Sequence, residues 1–144
     1  AQFGAGGRGY AGSTRAAGYT SKAMAQHKAD SAEQTTVIVQ IEDIEAIDAI
    51  DDIAAVDGVD CLFVGRIDLT VAYNAQSPND DIVIEAVNKV CEAGRKHNKA
   101  VGMFVPSVQE LPQWQAQGAS LFLMGSDHSF ILSAAKDLVS QAKQ

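Results

Sequence analysis

The chain has 144 residues, of which 47% are hydrophobic and 20% are charged, and its formal net charge is −7. This length and apolar content predict one domain with a buried core. An acidic chain without a basic block argues against nucleic acid or an anionic membrane surface as a partner. The longest apolar runs are of strand length, so no membrane-spanning segment is predicted. Cys61 and Cys91 fall inside a predicted strand and a predicted helix, which favours reduced core thiols and a cytoplasmic protein.

The first 20 residues hold six of the twelve glycines and show no hydrophobic periodicity, so a loop is predicted there. It is either a flexible linker or an anion-binding loop, because glycine lets backbone N–H groups approach a ligand closely. Helix-forming residues follow over 21–33, with Ser21 as a candidate N-cap.

Two predicted strands each deliver a carboxylate at their carboxyl end. The segment 37–42, VIVQIE, predicts a strand buried on both faces, because Val and Ile pack well on a pleated surface. It ends in the polar residues Gln40 and Glu42. A second strand, 59–64, is followed by Asp68 just past its tip. Charge at such positions is costly to bury unless it is paired or bound to a metal.

Amphipathic helices are predicted between the strands. After the first strand, apolar residues at spacings of three and four predict a single helix that ends at Gly58; they are Ile44, Ile47, Ile50, Ile53 and Ala54. Its acidic residues fall opposite the isoleucines and are interpreted as a solvated face rather than a carboxylate cluster. The remaining elements are helix 80–97, strand 100–105, helix 107–118, strand 119–125 and a final helix with Asp127 near its start.

Strand and helix alternate four times, which predicts a parallel α/β sheet with right-handed crossovers. Four such units form either half of an eight-stranded barrel or a small open sheet. In both architectures the carboxyl ends of the strands carry the ligands. No glycine-rich nucleotide fingerprint follows any of the strands, so nucleotide binding lacks support.

Glu42 and Asp68 occupy corresponding points on neighbouring predicted strands, which lie roughly 4.8 Å apart in a sheet. Two carboxylates at those tips can reach one ion, and all-oxygen ligation suits Mg²⁺, Mn²⁺ or a similar divalent ion. The alternative is that each carboxylate caps the helix that follows it. The pair together favours the metal, because Glu42 belongs to the strand and not to a cap.

Three further groups are predicted at the same end of the sheet. Gln40 lies two residues before Glu42, on the same face of its strand, where it hydrogen-bonds a ligand or fills a polar layer. Gly65 permits close backbone approach, so the N–H groups of Ile67 and Asp68 form a candidate site for a substrate carboxylate.

The histidines offer no clear general base. His27 and His97 are predicted to be surface residues of helices, and His128 follows Asp127 at a strand–helix junction, where a helix-terminus role is favoured. The spacings of a Ser–His–Asp triad, a Cys–His pair or a zinc site are absent from the sequence.

Three motifs resemble the HpcH/HpaI family of metal-dependent 2-keto-3-deoxy acid aldolases, of the 4-hydroxy-2-oxoheptanedioate or 2-dehydro-3-deoxyglucarate aldolase type. They are VQIE (39–42), VDGVDCLFVG (56–65) and RIDL (66–69). The separation of 26 positions between the two carboxylates agrees with that family. The Gly7-Arg8-Gly9 segment resembles the loop before its fifth strand, and GMFV and FLMGSD resemble its seventh and eighth strands.

The resemblance implies that residues 1–144 are the C-terminal half of one (β/α)8 TIM-barrel domain, with the last four βα units. Glu42 and Asp68 would bind Mg²⁺ or Mn²⁺, or else Co²⁺. Gln40 and the backbone at Ile67 and Asp68 would bind a pyruvate-type 2-oxo acid. The enzyme would cleave a 4-hydroxy-2-oxo acid to pyruvate and an aldehyde through a metal-stabilised enolate. A homo-oligomer, a hexamer in the family, is also implied.

The family's base histidine and substrate arginine lie on earlier strands that this sequence does not contain. Four parallel strands alone would expose sheet edges and an apolar layer. The sequence is therefore expected to be part of a longer enzyme, the alternative being paired half-barrels, and the isolated chain is not expected to be catalytically competent.

Two positions depart from the family pattern. Arg66 stands where the family turn G-P-x-D-L has proline, and it either adds positive charge beside the substrate carboxylate or points away and loosens the turn. Phe3-Gly4 stands where the family loop has a pair of prolines.

Two alternative functions remain open at this point. One is an acyl-CoA lyase like the citrate lyase β subunit, which would need a basic groove for coenzyme A that the sequence does not display. The other is a non-catalytic half-barrel that serves as an assembly module. Thioester cleavage would identify the first, and a lack of metal affinity would identify the second.

Overall fold

The structure is a computed structural model that describes residues 1–4 and 7–143. It divides into two compact units, Ala1–Val37 and Ile38–Gln144. The expectation that residues 1–144 form half of one barrel domain remains a prediction. The predicted loop over 1–20 includes Ala5 and Gly6, and the predicted domain includes Gln144; these three residues lie outside the described part of the chain.

The first unit is a loop followed by one helix, as predicted. A short 3-10 turn, Arg15–Ala17, interrupts the loop, and helix α1 spans Met24–Gln34. His27 lies on α1 and is only 5% exposed, so its prediction as a surface residue is wrong. Its ring packs between two aromatic rings from the loop, 5.6 Å from Phe3 and 5.8 Å from Tyr10 between centroids. Helical spacing alone does not reveal such a neighbour.

The second unit alternates strands and helices. Its strands pair in parallel in the sequential order β1-β2-β3-β4. Successive strands are therefore added in the same direction, without the reversal that marks a doubly wound open sheet, as in a section of a barrel. The elements are β1 Ile38–Ile41, α2 Ile44–Asp48, α3 Ile50–Ala54, β2 Cys61–Val64, α4 Arg66–Ala72, α5 Asp81–Lys96, β3 Ala100–Val105, α6 Leu111–Ala116, β4 Leu121–Met124 and α7 Asp127–Ala142.

One face of this sheet forms the core. Leu62, Val101 and Met103 are almost fully buried, and they alternate along the strands with residues of the opposite face. Helix α5 covers them with a buried stripe at helical spacing that includes Val83 and Val87. The helix carries acid at its start and Arg95 and Lys96 in its last turn, which complements the helix dipole.

Strand β1 is not buried on both faces, so that prediction is wrong. Ile38 is 49% exposed and Gln40 is exposed, whereas Ile41 is 1% exposed. The strand lies at the edge of the four-stranded sheet, and the core helices pack on its other face. Phe104 on the same open face is 42% exposed, which is the apolar layer expected of a barrel section.

The helix predicted to end at Gly58 is two short helices, α2 and α3, that meet at Ala49. Isoleucines repeated every three residues do not stay on one face of a continuous helix, because a helical turn has 3.6 residues. The break at Ala49 lets both Ile47 and Ile50 enter the core, where they are 2% and 8% exposed. The acidic side chains of this segment are exposed, as predicted.

Helix α7 keeps several large apolar side chains exposed, among them Phe130 at 62% and Leu138 at 69%. The helix has 16 residues. Within residues 1–4 and 7–143, no helix combines the length and the apolar character needed to cross a membrane.

Both cysteines are free and buried. Burial raises the pKa of the Cys61 thiol, with a further contribution from the charge of Asp60, and burial also raises the pKa of the Cys91 thiol. Thiols in such surroundings are unreactive and serve as core side chains, as predicted.

Close packing of α5 on β3 generates a first prediction, for Gly94→Ala. A methyl group at Gly94 would clash with Val101 Cγ2 and lie 3.2 Å from the Lys99 carbonyl oxygen. Overpacking costs about 1–3 kcal/mol, more than the gain of up to about 1 kcal/mol from the better helix propensity of alanine. We expect a lower urea midpoint, measured by circular dichroism.

Glu85→Ala, at an exposed position on the same helix, is the control and should change the free energy of unfolding by less than about 0.5 kcal/mol. A Gly94→Ala protein as stable as the wild type would show that α5 does not approach β3 as closely as described.

Candidate metal and substrate site

The site is built where β1 and β2 end side by side. Ile41 pairs with Val64, so Glu42 and Gly65 are the next residues along the two strands. The Gly65 N–H donates to the Ile41 carbonyl oxygen at 2.9 Å and extends the parallel ladder by one bond. Gly65 is also the N-cap of α4, so the chain turns from strand into helix at this point.

The three side chains predicted for this site converge on Gly65. A methyl group placed on its Cα would lie 2.9 Å from Glu42 Cβ, 3.0 Å from Asp68 Oδ2 and 3.4 Å from Gln40 Nε2. Only a glycine, with a hydrogen atom in place of a side chain, leaves room for this arrangement. The structure therefore brings together residues that are 28 positions apart in sequence, from Gln40 to Asp68.

Gln40 orients the carboxylate of Glu42. Its Nε2 donates to Glu42 Oε2 at 2.5 Å, and both side chains are exposed. A bond to a carboxylate is stronger than one between neutral groups, so the amide fixes the position of the acid.

The helix-cap alternative is wrong for Glu42. The N-cap of α2 is the next residue, Asp43, whose side chain accepts a hydrogen bond from the Ala46 N–H at 2.7 Å. Asp68 is the third residue of α4 and does not cap it, although its charge complements the positive end of the helix dipole.

The predicted backbone donors lie in the first turn of α4. The first hydrogen bond of α4 runs from the Leu69 N–H to the Gly65 carbonyl oxygen at 2.9 Å. The N–H groups of Ile67 and Asp68 come before that bond, in the part of a helix where donors lack an intrahelical acceptor. The Ile67 side chain is 62% exposed.

A cavity of about 330 Å³ opens beside these groups. Gln40 and Asp68 line it, whereas Glu42 does not line it and is hydrogen-bonded to Gln40. The wall is mainly apolar, and the lining residues are Gln40, Phe63, Val64, Gly65, Arg66, Ile67, Asp68, Pro78, Asn79, Phe104, Pro106 and Glu110.

Arg66 forms one side of the cavity and is 6% exposed. Its Nη1 donates to Glu110 Oε2 at 2.6 Å and its Nη2 donates to Asn79 Oδ1 at 3.1 Å. Its guanidinium carbon lies 4.9 Å from the centroid of the Trp114 ring, at a distance typical of cation–π contacts. Arg66 therefore forms part of the cavity wall and is held there by contacts with Glu110, Asn79 and Trp114.

Sequence reasoning missed the partners of Arg66. Glu110 and Trp114 lie on the segment after β3, and Asn79 lies in the loop before α5. The one signal available was the charged Arg66 in place of a proline, since a buried arginine requires an acceptor elsewhere in the chain.

The histidines do not line the cavity. His97 Nε2 lies 3.0 Å from Asp51 Oδ1, and the side chain of His128 is 78% exposed. Hydrogen bonds from Lys96 and then His97 lower the pKa of Asp51, which places this pair in a surface ion cluster between α3 and α5.

The donor set at Gly65 suits a hydrated divalent ion. Across the described ranges, no group of three or more His, Cys, Asp or Glu side chains is arranged to hold a metal. Glu42 and Asp68 would then provide two oxygen ligands and leave the other positions to water or substrate. Mg²⁺ is commonly bound in this way, whereas structural zinc needs four protein ligands.

The sequential parallel sheet, with candidate ligand groups at the carboxyl ends of its strands, is a section of a TIM-type barrel. The sequence profile of the HpcH/HpaI aldolase/citrate lyase family matches residues 6–134. The chain belongs to this family, and the resemblance stated from its motifs is confirmed.

Named relatives and a solved structure agree with this assignment. The chain is 33% identical over 125 residues to the 5-keto-4-deoxy-D-glucarate aldolase of Shigella boydii, covering 84% of this chain and 48% of the relative. It is 31% identical over 138 residues to the hydroxypyruvate/pyruvate aldolase of Paraburkholderia phytofirmans, covering 94% and 52%. An HpcH/HpaI family protein from Burkholderia cenocepacia superposes with a TM-score of 0.81 at 32% identity, covering 95% and 53%. The chain thus spans about half the length of the relatives it matches, and the barrel fold is confirmed.

The crowding at Gly65 generates a second prediction. Gly65→Ala would force Glu42 and Asp68 apart, and we expect an affinity for Mn²⁺ at least tenfold lower than that of the wild type, measured by titration calorimetry. Gly58→Ala is the control for a glycine substitution outside the site, because no atom lies within 4 Å of its added methyl. It carries a backbone penalty at φ +85°, yet it should leave the affinity for Mn²⁺ unchanged. Equal affinities in the two variants would contradict the proposed convergence of ligands on Gly65.

Proposed function

We propose that this chain supplies the metal and 2-oxo-acid half of the active site of a divalent-metal-dependent aldolase. The enzyme would interconvert a 4-hydroxy-2-oxo acid with pyruvate and an aldehyde. The observation that carries the proposal is the convergence of Gln40, Glu42 and Asp68 on Gly65 at the mouth of a cavity. Relatives at 33% and 31% identity are named as aldolases, which supports the same reaction class.

Each residue has a separate role in the proposal. Glu42 and Asp68 hold Mg²⁺ or Mn²⁺, which supplies Lewis-acid polarisation of the substrate's oxygen atoms when bound. Gln40 holds the carboxylate of Glu42 and reaches the substrate. The N–H groups of Ile67 and Asp68 receive the substrate carboxylate, since both lie in the first turn of α4, where backbone donors lack an intrahelical acceptor.

In the cleavage direction the bond between C3 and C4 of the substrate breaks. The proton of the 4-hydroxyl group leaves to a base, the aldehyde departs, and C3 takes up a proton to give pyruvate. The residues that line the cavity include no histidine. We therefore assign the base, and a cationic substrate contact, to chain elements beyond those described.

We propose that residues 1–144 act as the C-terminal half of one barrel, completed by further chain or by a second copy. We also propose a cytoplasmic homo-oligomer. The exposed apolar side chains of α7 would be covered in such an assembly.

The cavity favours an aldolase over an acyl-CoA lyase. Arg66 is the one cation among the described residues that line it, and its charge is already matched by Glu110. The phosphates of coenzyme A would therefore gain no free cation there. A purely structural half-barrel would have no need of three polar groups crowded around Gly65.

A third prediction tests the carboxylates directly. We expect Mn²⁺ to bind the chain in the presence of oxalate, and Glu42→Gln and Asp68→Asn each to weaken that binding by at least tenfold, because each removes an anionic ligand. Titration calorimetry measures the affinity. Glu45→Gln, an exposed acid of α2 outside the site, is the control and should retain wild-type affinity.

Circular dichroism establishes that each variant is folded. If folded wild-type protein binds no Mn²⁺, or if both carboxylate variants bind it normally, the assignment of Glu42 and Asp68 is wrong. Deuterium exchange at C3 of pyruvate, followed by NMR on the complete protein, then tests whether the site activates a 2-oxo acid.

A further inference from the structure

We propose that Arg66, Glu110 and Asn79 form a specificity-determining wall that selects an uncharged, hydroxylated aldehyde as the partner of pyruvate. This inference rests on the proposed aldolase function and names the class of its second substrate. The three residues are called the polar wall below. They line the same cavity as Gln40 and Asp68, which belong to the 2-oxo-acid end.

The polar wall is held in one arrangement. Arg66 is the first residue of α4, and its guanidinium connects Glu110, on the segment after β3, with Asn79, in the loop before α5. Trp114 packs on the guanidinium and directs its Nε1 towards Glu110 Oε2 at 3.4 Å. Several contacts therefore fix a side chain that would otherwise be long and mobile.

The charge of the polar wall is balanced internally. Arg66 Nη1 and Glu110 Oε2 are 2.6 Å apart, and the two side chains are 6% and 26% exposed. A carboxylate on the aldehyde would meet no free cation and would lie close to the carboxylate of Glu110. A buried pair that loses its partner is strongly destabilised, so such a ligand would not displace Glu110 from Arg66.

Hydroxyl groups fit the polar wall better, because a hydroxyl both donates and accepts. A guanidinium only donates, so Asn79 must present Oδ1 to it and keep Nδ2 as a donor. Glu110 adds carboxylate oxygens as acceptors. The wall thus offers the Asn79 amide as a donor and the Glu110 carboxylate as an acceptor. Arg66 Nε is buried and has no hydrogen-bond partner among the residues that the structure describes, so it adds no accessible donor.

The remaining lining of the cavity is largely apolar. Phe63 and Phe104 lie on the open face of the sheet, and Pro78 and Pro106 also line the cavity. These side chains suit the carbon chain of a short aldehyde, with its reacting carbon at the 2-oxo-acid end and its hydroxyls at the wall.

The test compares three aldehydes in aldol addition to pyruvate by the complete protein: glyceraldehyde, propanal and succinic semialdehyde. They are hydroxylated, apolar and carboxylated, respectively. We expect kcat/KM of the wild type to be highest for glyceraldehyde. Ratios between aldehydes within one variant do not depend on the fraction of folded enzyme.

Two variants separate the wall's functions. Arg66→Pro places proline at the first position of a helix, where it is well tolerated, and removes the guanidinium. We expect this variant to lower the ratio of kcat/KM for glyceraldehyde to kcat/KM for propanal about tenfold. That change corresponds to the loss of one hydrogen bond to a charged group. Glu110→Gln leaves the charge of Arg66 unmatched. We expect it to raise the ratio of kcat/KM for succinic semialdehyde to kcat/KM for propanal at least tenfold.

Exchange of the C3 protons of pyruvate with deuterium, measured without aldehyde, reports on the other end of the cavity. If both variants exchange the C3 protons and keep the wild-type kcat/KM ratios between aldehydes, the role of the polar wall is wrong and the aldolase function still holds. A wild-type preference for succinic semialdehyde would have the same meaning. A wild type that neither exchanges pyruvate nor forms an aldol product would overturn the proposed function, and the wall's role with it.

Discussion

The missing side chain of Gly65 is the constraint on which the site depends. Its N–H continues the ladder between β1 and β2, and its Cα leaves the space that Glu42 and Asp68 occupy. A residue with a Cβ would have to move one of three polar groups or abandon the hydrogen bond to Ile41. The backbone at Gly65 thus sets the separation of the two carboxylates in the candidate site.

The second dependence is between Arg66 and Glu110. A guanidinium that is 6% exposed needs a carboxylate nearby, because a buried unpaired charge is very costly. The pair joins the start of α4 to the segment after β3, and Asn79 adds the loop before α5. Side-chain hydrogen bonds thereby hold three chain segments around one cavity. Loops on a rigid sheet commonly carry binding groups in this way.

Local patterns were sufficient to predict the sheet and the position of Glu42 and Asp68 at its carboxyl edge. Alternating strands and helices place Glu42 and Asp68 at one edge, whatever the packing details. Other features depend on distant partners. Arg66 and Glu110 are 44 positions apart, and no periodicity connects them. His27 is buried by rings from a loop without regular structure. The break at Ala49 lets isoleucines spaced by three residues enter the core, and a helical pattern alone does not predict it.

The packing of Trp114 gives the molecule an optical property. It is the only tryptophan in the chain, it is 1% exposed, and its ring lies against the guanidinium of Arg66. Its indole emission therefore comes from a single location and responds to the charge and hydration of one side of the cavity. We expect occupancy there to change the tryptophan fluorescence without any label, and events at the surface ion cluster of Asp51 to leave it unaltered.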